Sequence, residues 1–344
     1  MSVLSVIEGI VYEVMKFLKS GNINEAKESY VLVFHICRHF LELLVKKPEE
    51  FTRLMVILKM AHEAVREDKF ITKRSIYYSN PILFKRQSII DPLLSKICKE
   101  LSLPRCALKI NASSKLIVYG DIYLGIGYES DVVKRNNLGI PESLFKSGYE
   151  VIMSECLPQF ILIIEKDTIF RKLLSEKFYE KFKPCLLVTA KGYPDLITRQ
   201  FLAQINCIHP NIPMIGLFDA DPHGINVFCT YKYGTTNPMM QNENGSPIKI
   251  SNLQLCGLLP SELSSLQIKE IDLLKLTKRD KSLLNSMKKR LYIQQESILL
   301  EQINYLLLTE MKAELEILNT IHSTYLTNEY LPNKLKLWNI LPNK

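Results

Sequence analysis

Three carboxylates stand at the ends of two apolar runs in this sequence. Glu165 closes the run ILIIE, and Asp219 and Asp221 close the run MIGLFDAD. Short continuous apolar runs of this kind are typical of buried parallel strands, and ligands of open α/β sheets bind at the carboxyl ends of such strands. Three carboxylates at one sheet edge repel each other unless a cation lies among them, and oxygen ligands favour Mg²⁺. The sequence therefore predicts a magnesium site at this edge.

A tyrosine pair, Tyr77 and Tyr78, lies upstream in the basic segment KRSIYYS. If this segment is helical, Arg74 shares a helix face with Tyr78 because the two are four residues apart. A phenol has a reference pKa of about 10, so a tyrosine that attacks phosphorus needs a nearby cation or base. Arg74 would hold the phosphate and favour the phenolate. The pattern fits a phosphodiester-cleaving nucleophile, but taken alone it favours two ordinary core aromatic residues.

Composition limits the class of protein. The chain has 344 residues, 47% of them apolar, and a formal net charge of +8, which suits two globular domains and an anionic partner such as nucleic acid. Its eight cysteines are scattered without a C-x-x-C pair, which favours a reducing compartment and no structural zinc. The pair His35 and His39 lacks a third ligand with clear spacing and is interpreted as structural. The sequence shows no signal peptide, membrane span or G-x-x-x-x-G-K-[ST] phosphate loop.

The first half of the chain predicts helices. Amphipathic spacing predicts helices over residues 2–19 and 24–47. Thr72, Asn80 with Pro81, and Asp91 with Pro92 are start signals for three short helices. The runs CALKIN and KLIVYGD then predict two strands that form a hairpin. Three short helices followed by a hairpin are the order of a winged helix-turn-helix, which docks on DNA.

From residue 156 onward the pattern changes to alternating strands and helices, which predicts a parallel sheet with right-handed crossovers. Residues 262–322 predict a helical region that wraps this sheet. The fold class is thus an α/β multidomain protein. Its predicted parts are an N-terminal helical region (1–55), a winged-helix DNA-binding domain that carries the tyrosine (56–150) and an α/β metal-binding domain with C-terminal helices (151–344).

A known family has these motifs in the same order. A strand that ends in Glu, a strand followed by Lys-Gly and a strand followed by D-x-D occur in this order, and this order resembles the Toprim domain of topoisomerases and primases. With TAKGYPDLITRQFL, FDADPHG and RSIYYSN, the chain resembles the topoisomerase VI A-subunit family. The resemblance is strongest to the eukaryotic meiotic branch, whose members are transesterases that make the double-strand breaks initiating recombination. It covers roughly residues 60 to 290.

The resemblance implies roles for particular residues. Tyr78 would be the nucleophile that becomes linked to a DNA 5′ end, assisted by Arg74, with no general base assigned. Glu165, Asp219 and Asp221 would hold Mg²⁺, for which Mn²⁺ can substitute, and Asp167 would be a helper or a helix cap. The implied DNA contacts are Lys115, Lys191, Tyr193, Arg199 and His223. The family commonly has Gly after the lysine that corresponds to Lys115, whereas this chain has Leu116 there.

The resemblance also implies the setting of the reaction. The protein would act in the nucleus on double-stranded DNA, and two copies would combine, since each chain has one such tyrosine. Further partners would be a topoisomerase VI B-like protein and other meiotic recombination proteins, but no membrane. The helix at 2–19 would dock on the B-like partner through Ile7, Val11, Val14 and Leu18. Two alternatives remain: a Toprim-type metal-dependent nuclease without a covalent intermediate, and a non-catalytic DNA-binding scaffold of a recombination complex.

Overall fold

The computed structural model describes most of the chain, and the described residues are 2–20, 42–103, 105–111, 115–126, 129–134, 138–139, 149–153, 157–235, 247–266 and 268–340. The chain divides into two compact units. The helical unit comprises Met1–Ser113 and Thr235–Pro247, and the sheet unit comprises Ser114–Gly234 and Ile248–Lys344. The predicted histidine pair, His35 and His39, lies outside the described residues.

Besides a helical stretch over residues 42–46 and two 3₁₀ helices, the described residues of the helical unit form five α-helices and one pair of very short strands. The helices are α1 Val3–Ser20, α2 Pro48–Arg66, α3 Lys73–Ser79, α4 Pro81–Phe84 and α5 Ile90–Leu101. The strands, β1 Ile71–Thr72 and β2 Ile110–Asn111, pair in parallel. Helices begin where the sequence supplies caps: the Thr72 side chain accepts the Ser75 N–H in a capping box, and Asn80 accepts the Leu83 N–H.

Asp91 does not cap a helix as the sequence predicts. Helix α5 begins one residue earlier, and the residue before it makes no side-chain cap. The Asp91 carboxylate instead accepts a hydrogen bond from Lys73 Nζ at 2.8 Å. An acidic residue in the first turn still complements the helix dipole, and this ion pair ties α5 to the start of α3.

Helix α1 supplies the hydrophobic core of its own unit. Ile7, Ile10 and Val14 are buried in one cluster with residues of α2 and α5. The prediction that Ile7 and Val14 belong to an external docking face is therefore wrong. Val11 is exposed, and the side chain of Leu18 lies outside the described residues.

The predicted hairpin of CALKIN and KLIVYGD does not form. Residues Arg105–Leu108 are a 3₁₀ helix, and β2 pairs with β1. The second run contains Ile117–Tyr119, which pairs antiparallel with Leu186–Thr189 of the sheet unit. A strand joins the partner that offers complementary backbone groups, and alternation of side chains alone does not identify that partner.

The sheet unit contains eleven further strands within the part of the chain that the structure describes. In chain order they are β3 Ile117–Tyr119, β4 Ile122–Ile126, β5 Glu129–Lys134, β6 Leu138–Gly139, β7 Tyr149–Met153, β8 Ile161–Ile164, β9 Leu186–Thr189, β10 Met214–Leu217, β11 Leu253–Gly257, β12 Leu274–Lys275 and β13 Met311–Lys312. Six of them form a sheet of order β11-β10-β8-β9-β3-β6. The four strands from β8 to β11 are mutually parallel, which confirms the predicted parallel sheet.

The helices of the sheet unit follow the predicted alternation. They are α6 Asp167–Ser175, α7 Phe178–Phe182, α8 Leu196–Ile208, α9 Pro222–Tyr233, α10 Lys278–Lys288, α11 Leu291–Gln295, α12 Ser297–Thr309 and α13 Leu331–Leu337. The predicted C-terminal helical region (262–322) is helical mainly between Lys278 and Thr309, since β12 and a short 3₁₀ helix over Glu270–Asp272 precede α10. Beyond Thr309, β13 and a bridge between Ala220 and Ala313 precede a 3₁₀ helix over Leu315–Thr320.

The division into units differs from the predicted domain limits of 1–55, 56–150 and 151–344. The two units separate at Ser113 because β3 belongs to the sheet, and α1 shares a core with α2. Among the described residues, Cys185, Cys207, Cys229 and Cys256 have free thiols. A search of the described residues found no helix with the length and apolarity that a membrane crossing requires.

The buried stripe of α1 generates a stability prediction. Replacing Ile7 and Val14 together with Asp places two charges in the core of the helical unit, and we expect a loss of at least about 4 kcal/mol in the free energy of unfolding. Far-UV circular dichroism during urea denaturation measures this loss. The matched control is Val11→Asp on the exposed face of α1, which should leave the midpoint nearly unchanged. Equal midpoints for the double variant and the wild type would contradict the packing of α1.

Candidate active site

Two of the three predicted carboxylates meet at the ends of neighbouring strands. Strands β8 and β10 pair in register, and the Glu165 N–H donates to the Leu217 carbonyl at 3.0 Å. The Asp219 N–H in turn donates to Glu165 Oε2 at 3.0 Å. Both side chains are buried. We call Glu165, Asp219 and Asp221 the acidic edge.

The segment DADPHG explains how the third carboxylate is placed. Asp221 is the N-cap of α9, and its Oδ1 accepts the Gly224 N–H at 2.6 Å. Pro222 occupies the first turn, where a missing N–H costs nothing. A Cβ at position 224 would collide with the carbonyl oxygen of Asp219, so only glycine lets the helix start this close to the strand end.

Lysine and backbone donors compensate the Asp219 carboxylate. Asp219 Oδ1 accepts the Leu315 N–H at 2.8 Å, and Asp219 Oδ2 lies 3.0 Å from Lys166 Nζ. The same ammonium contacts Glu314 at 2.8 Å and Glu316 at 2.9 Å. A pair of more exposed glutamates, Glu314 and Glu316, therefore lies next to the acidic edge, and Lys166 lies between this pair and Asp219.

Burial and mutual repulsion raise the pKa values at the acidic edge. Desolvation, followed by the charges of Asp219 and Asp221, raises the pKa of Glu165 to about 8. Desolvation also raises the pKa of Asp219, to about 6, against the opposing Leu315 N–H and Lys166. Burial disfavours the charge of Lys166, but its bonds to Glu314 and Glu316 and the charge of Asp219 outweigh this and raise its pKa. The site holds more negative charge than its own lysine neutralises.

The donor set of the acidic edge fits a hard divalent cation. It offers carboxylate oxygens, and the pKa values of two of its carboxyl groups are raised, chiefly by burial and then by repulsion between the carboxylates. Among the residues that the structure describes, however, no three acidic, histidine or cysteine side chains converge as a metal cage. The cation on Asp219 is the ammonium of Lys166.

The turn after β9 is tied directly to Glu165. The Gly192 N–H donates to the Glu165 carbonyl at 2.7 Å, and Lys191, which precedes it, is exposed with a positive φ of 55°. Tyr193 Oη lies 3.3 Å from His223 Nδ1 and accepts a hydrogen bond from Asn226 Nδ2 at 2.8 Å. Lys191, Tyr193 and His223 are all exposed, so they are available to a ligand.

Two other predicted DNA contacts have different surroundings. Lys115 is exposed, and its backbone N–H donates to Asp195 Oδ2 at 2.6 Å. Arg199 is fully buried in the sheet unit and donates to the Ile248 carbonyl at 3.4 Å. Burial lowers the pKa of Arg199 to about 10. The prediction that Arg199 contacts DNA is wrong, because its guanidinium supports the interior of the sheet unit.

The tyrosine pair lies on α3 in the helical unit. Ile76 is buried and anchors this short helix, while Tyr77 packs against the core and Tyr78 is 69% exposed. The two rings meet edge-on with centroids 5.2 Å apart. Arg74, one turn earlier, is exposed as well. Tyr78 is therefore not the core aromatic residue that the sequence alone allowed.

Sequence reasoning missed Lys166, Glu314 and Glu316. It predicts a helix over the last two, and in the structure Glu314 is the N-cap residue of the 3₁₀ helix Leu315–Thr320 and Glu316 lies inside it. It also missed Arg290, whose Nη1 donates to Asn226 Oδ1 at 2.8 Å. Asn226 holds Tyr193, so this arginine supports the Tyr193–His223 pair. No sequence spacing indicates that contact.

Comparison with known proteins identifies the class of this site. The Toprim domain of the topoisomerase 6 A-subunit/Spo11 family matches residues 160–335, which contain the acidic edge. The type IIB DNA topoisomerase N-terminal region matches residues 49–110, which contain the tyrosine pair. The two matched regions define a topoisomerase-type protein.

Individual relatives narrow the class to a family. The chain is 33% identical to meiotic recombination protein SPO11 of Homo sapiens over 85% of its own length and 72% of the relative. It is 33% identical to meiotic recombination protein rec12 of Schizosaccharomyces pombe, over 77% of the chain and 72% of the relative. The DNA topoisomerase 6 A-subunit of Arabidopsis thaliana is 30% identical over 85% of the chain and 66% of the relative. The chain belongs to the topoisomerase 6 A-subunit/Spo11 family.

The raised pKa of Glu165 generates a pH prediction. Because this pKa rises from 4.5 to about 8 on folding, the folded protein binds a proton more tightly than the unfolded chain. The free energy of unfolding then falls between about pH 5 and about pH 9. Glu165→Gln cannot ionise, so without metal it should be more stable than the wild type at the upper pH, on the order of a few kcal/mol, and the gain should shrink toward the lower pH.

Thermal melts in EDTA across this pH range measure the effect. Glu301→Gln, at an exposed position of α12, is the matched control and should follow the wild type. If the melting temperatures of the wild type and Glu165→Gln changed in the same way with pH, this would contradict the burial of an ionisable carboxyl at the acidic edge.

Proposed function

We propose that this protein makes meiotic DNA double-strand breaks by a topoisomerase-like transesterification. Membership of the topoisomerase 6 A-subunit/Spo11 family supports the mechanism, and the names of the relatives support the meiotic role. The observation that carries the proposal is the exposure of Tyr78 on a short, capped helix within the matched topoisomerase region. A nucleophile must be reachable by DNA, whereas a core tyrosine need not be.

In the proposed reaction, Tyr78 Oη loses its proton to water and attacks a backbone phosphorus. The new bond joins the phenolic oxygen to phosphorus, and the bond from phosphorus to the 3′ oxygen breaks. The protein becomes linked to the 5′ end, and the 3′ oxygen takes up a proton to leave as a hydroxyl. Arg74, exposed one turn away on α3, would hold the phosphate and stabilise the charge of the phenolate. The DNA-docking role of the short helices around Tyr78, as in a winged helix-turn-helix, is part of this proposal.

The acidic edge would hold a divalent cation, Mg²⁺ or Mn²⁺ in its place, through Glu165, Asp219 and Asp221. Toprim domains generally bind divalent metal ions, and such an ion supplies positive charge for the phosphate and the leaving oxygen. The exposed Lys191 and Tyr193 lie in the segment that follows β9, and the exposed His223 lies in the first turn of α9. They would contact the DNA backbone there, and Lys115 would add a further contact.

Substitution of the nucleophile tests the proposal. Tyr78→Phe removes one hydroxyl from an exposed side chain, so folding and DNA binding should persist while the covalent protein–DNA adduct falls to background. Tyr77→Phe is the matched control and should retain the adduct, because Tyr77 packs against the core. Denaturing gels of end-labelled DNA, run with and without protease, measure the linkage. Breakage without an adduct would indicate a metal-dependent nuclease, and DNA binding without breakage would indicate a scaffold.

The assembly would contain two copies of this chain, one for each strand, together with a topoisomerase VI B-like partner and other recombination proteins in the nucleus. We place the B-like partner on the exposed face of the helical unit. Val11, Tyr12 and Met15 of α1 are exposed apolar residues. The first two line a groove of about 830 Å³ with Met55 and Val56 of α2. An exposed apolar groove of this kind suits a protein partner.

Charge placed on this face tests the docking proposal. Tyr12→Asp with Met15→Asp should abolish co-purification with the B-like partner and leave the isolated chain folded, because both positions are exposed. Leu308→Asp, at an equally exposed apolar position of α12, is the control and should bind normally. Normal partner binding by the double variant would place the B-like partner elsewhere.

A further inference from the structure

Lys166 holds a position at the acidic edge that the predicted reaction does not use. It follows Glu165 directly and is the N-cap residue of α6. Its ammonium contacts three carboxylates, with Nζ–O distances of 3.0 Å to Asp219, 2.8 Å to Glu314 and 2.9 Å to Glu316. An ammonium has three N–H donors, so this contact set uses its full capacity.

The two glutamates differ from Asp219 in their surroundings. Asp219 is 5% exposed at its side chain, whereas Glu316 is 39% and Glu314 is 56% exposed. The Glu316 carboxylate is also held by the Thr168 hydroxyl at 3.0 Å. Of the three partners, Asp219 therefore depends most on a cation, because water cannot solvate its charge.

The ammonium and a divalent cation would compete for Asp219. Asp219 Oδ1 already accepts the Leu315 N–H, and the ammonium lies on Oδ2. Two positive charges at one buried oxygen repel strongly at low dielectric. If the ammonium left Asp219, Glu314 and Glu316 would still hold it.

We propose that Lys166 is the resident counter-ion of Asp219 and that a divalent cation binds the acidic edge by displacing its ammonium onto Glu314 and Glu316. This proposal rests on the proposed metal-binding function of the edge. Lys166 acts as a positioning residue, since it neutralises Asp219 before the cation arrives. The glutamates act through Lys166 and do not ligate the metal.

The exchange predicts opposite shifts in metal affinity. Lys166→Met removes the competitor and should tighten binding of Mn²⁺ about tenfold. Glu314→Gln with Glu316→Gln leaves the ammonium only Asp219 and should weaken binding about tenfold. The long-range electrostatic effect of the removed charges would shift the metal affinity in the same two directions. The variant that carries all three substitutions distinguishes this effect from the exchange. If the glutamates act through Lys166, their substitution in the Lys166→Met background should change the affinity by less than about twofold.

The experiment titrates the full chain with Mn²⁺ in the absence of DNA and detects the free ion by electron paramagnetic resonance. Lys232→Met, which removes a lysine paired with Glu296, is the control for lost charge. Should Lys166→Met fail to fold, the exposed glutamate variant still gives a result, and unchanged affinity there overturns the exchange. Two results with the triple variant would also overturn the exchange. One is a change in Mn²⁺ affinity equal to the sum of the changes in the Lys166 and glutamate variants. The other is a further large loss of Mn²⁺ affinity, which would indicate that the glutamates are metal ligands.

Failure of the metal site itself has a different signature. A wild type without saturable Mn²⁺ binding, or binding that survives Asp219→Asn unchanged, overturns both the metal-binding function and the exchange. Saturable binding that is lost in Asp219→Asn but unchanged in Lys166→Met and in the glutamate variant overturns the exchange alone.

Discussion

The burial of carboxylates at the ends of β8 and β10 is the constraint on which the described structure of the site depends. An ionised group in a protein interior is costly unless neighbouring donors or charges compensate it. Glu165 is compensated mainly by the Asp219 N–H, and its pKa rises to about 8. Asp219 receives a backbone N–H and an ammonium, and its pKa rises less, to about 6. The remaining deficit of positive charge makes this edge suited to a divalent cation, whose charge would in turn attract a phosphate.

Several elements of the sheet unit are arranged around this constraint. The parallel pairing of β8 and β10 brings Glu165 and Asp219 together, and Gly224 lets α9 begin beside the Asp219 backbone. The segment after α12 returns through β13 into the 3₁₀ helix over Leu315–Thr320, which gives the Leu315 N–H and places Glu314 and Glu316 by Lys166. The hydrogen bond between Leu315 and Asp219 joins residues 96 positions apart in sequence. Such long-range contacts specify one arrangement only when the whole unit is folded.

The sequence predicts what depends on local pattern. Apolar runs ending in carboxylates predict the parallel strands and the acidic edge, and Thr72 and Asn80 predict the helix starts around Tyr78. What depends on tertiary pairing is not predicted: β3 joins the sheet and not a hairpin, and Arg199 is internal although it follows a motif expected at DNA. Periodicity predicts the apolar stripe of α1, but it does not state whether a stripe faces its own core or a partner. Ile7 and Val14 face the core.

The proposed chemistry is divided between two units, with Tyr78 in the helical unit and the acidic edge in the sheet unit. We propose that one copy of the chain supplies the tyrosine and a second copy the acidic edge. Mixing a Tyr78→Phe chain with a differently tagged Asp219→Asn chain tests this directly, since each alone should be inactive. Mixed pairs should regain one intact site and break a single strand, with the covalent 5′ adduct carried only by the Asp219→Asn chain. Mixed pairs that associate and bind DNA but form no adduct would contradict the shared site.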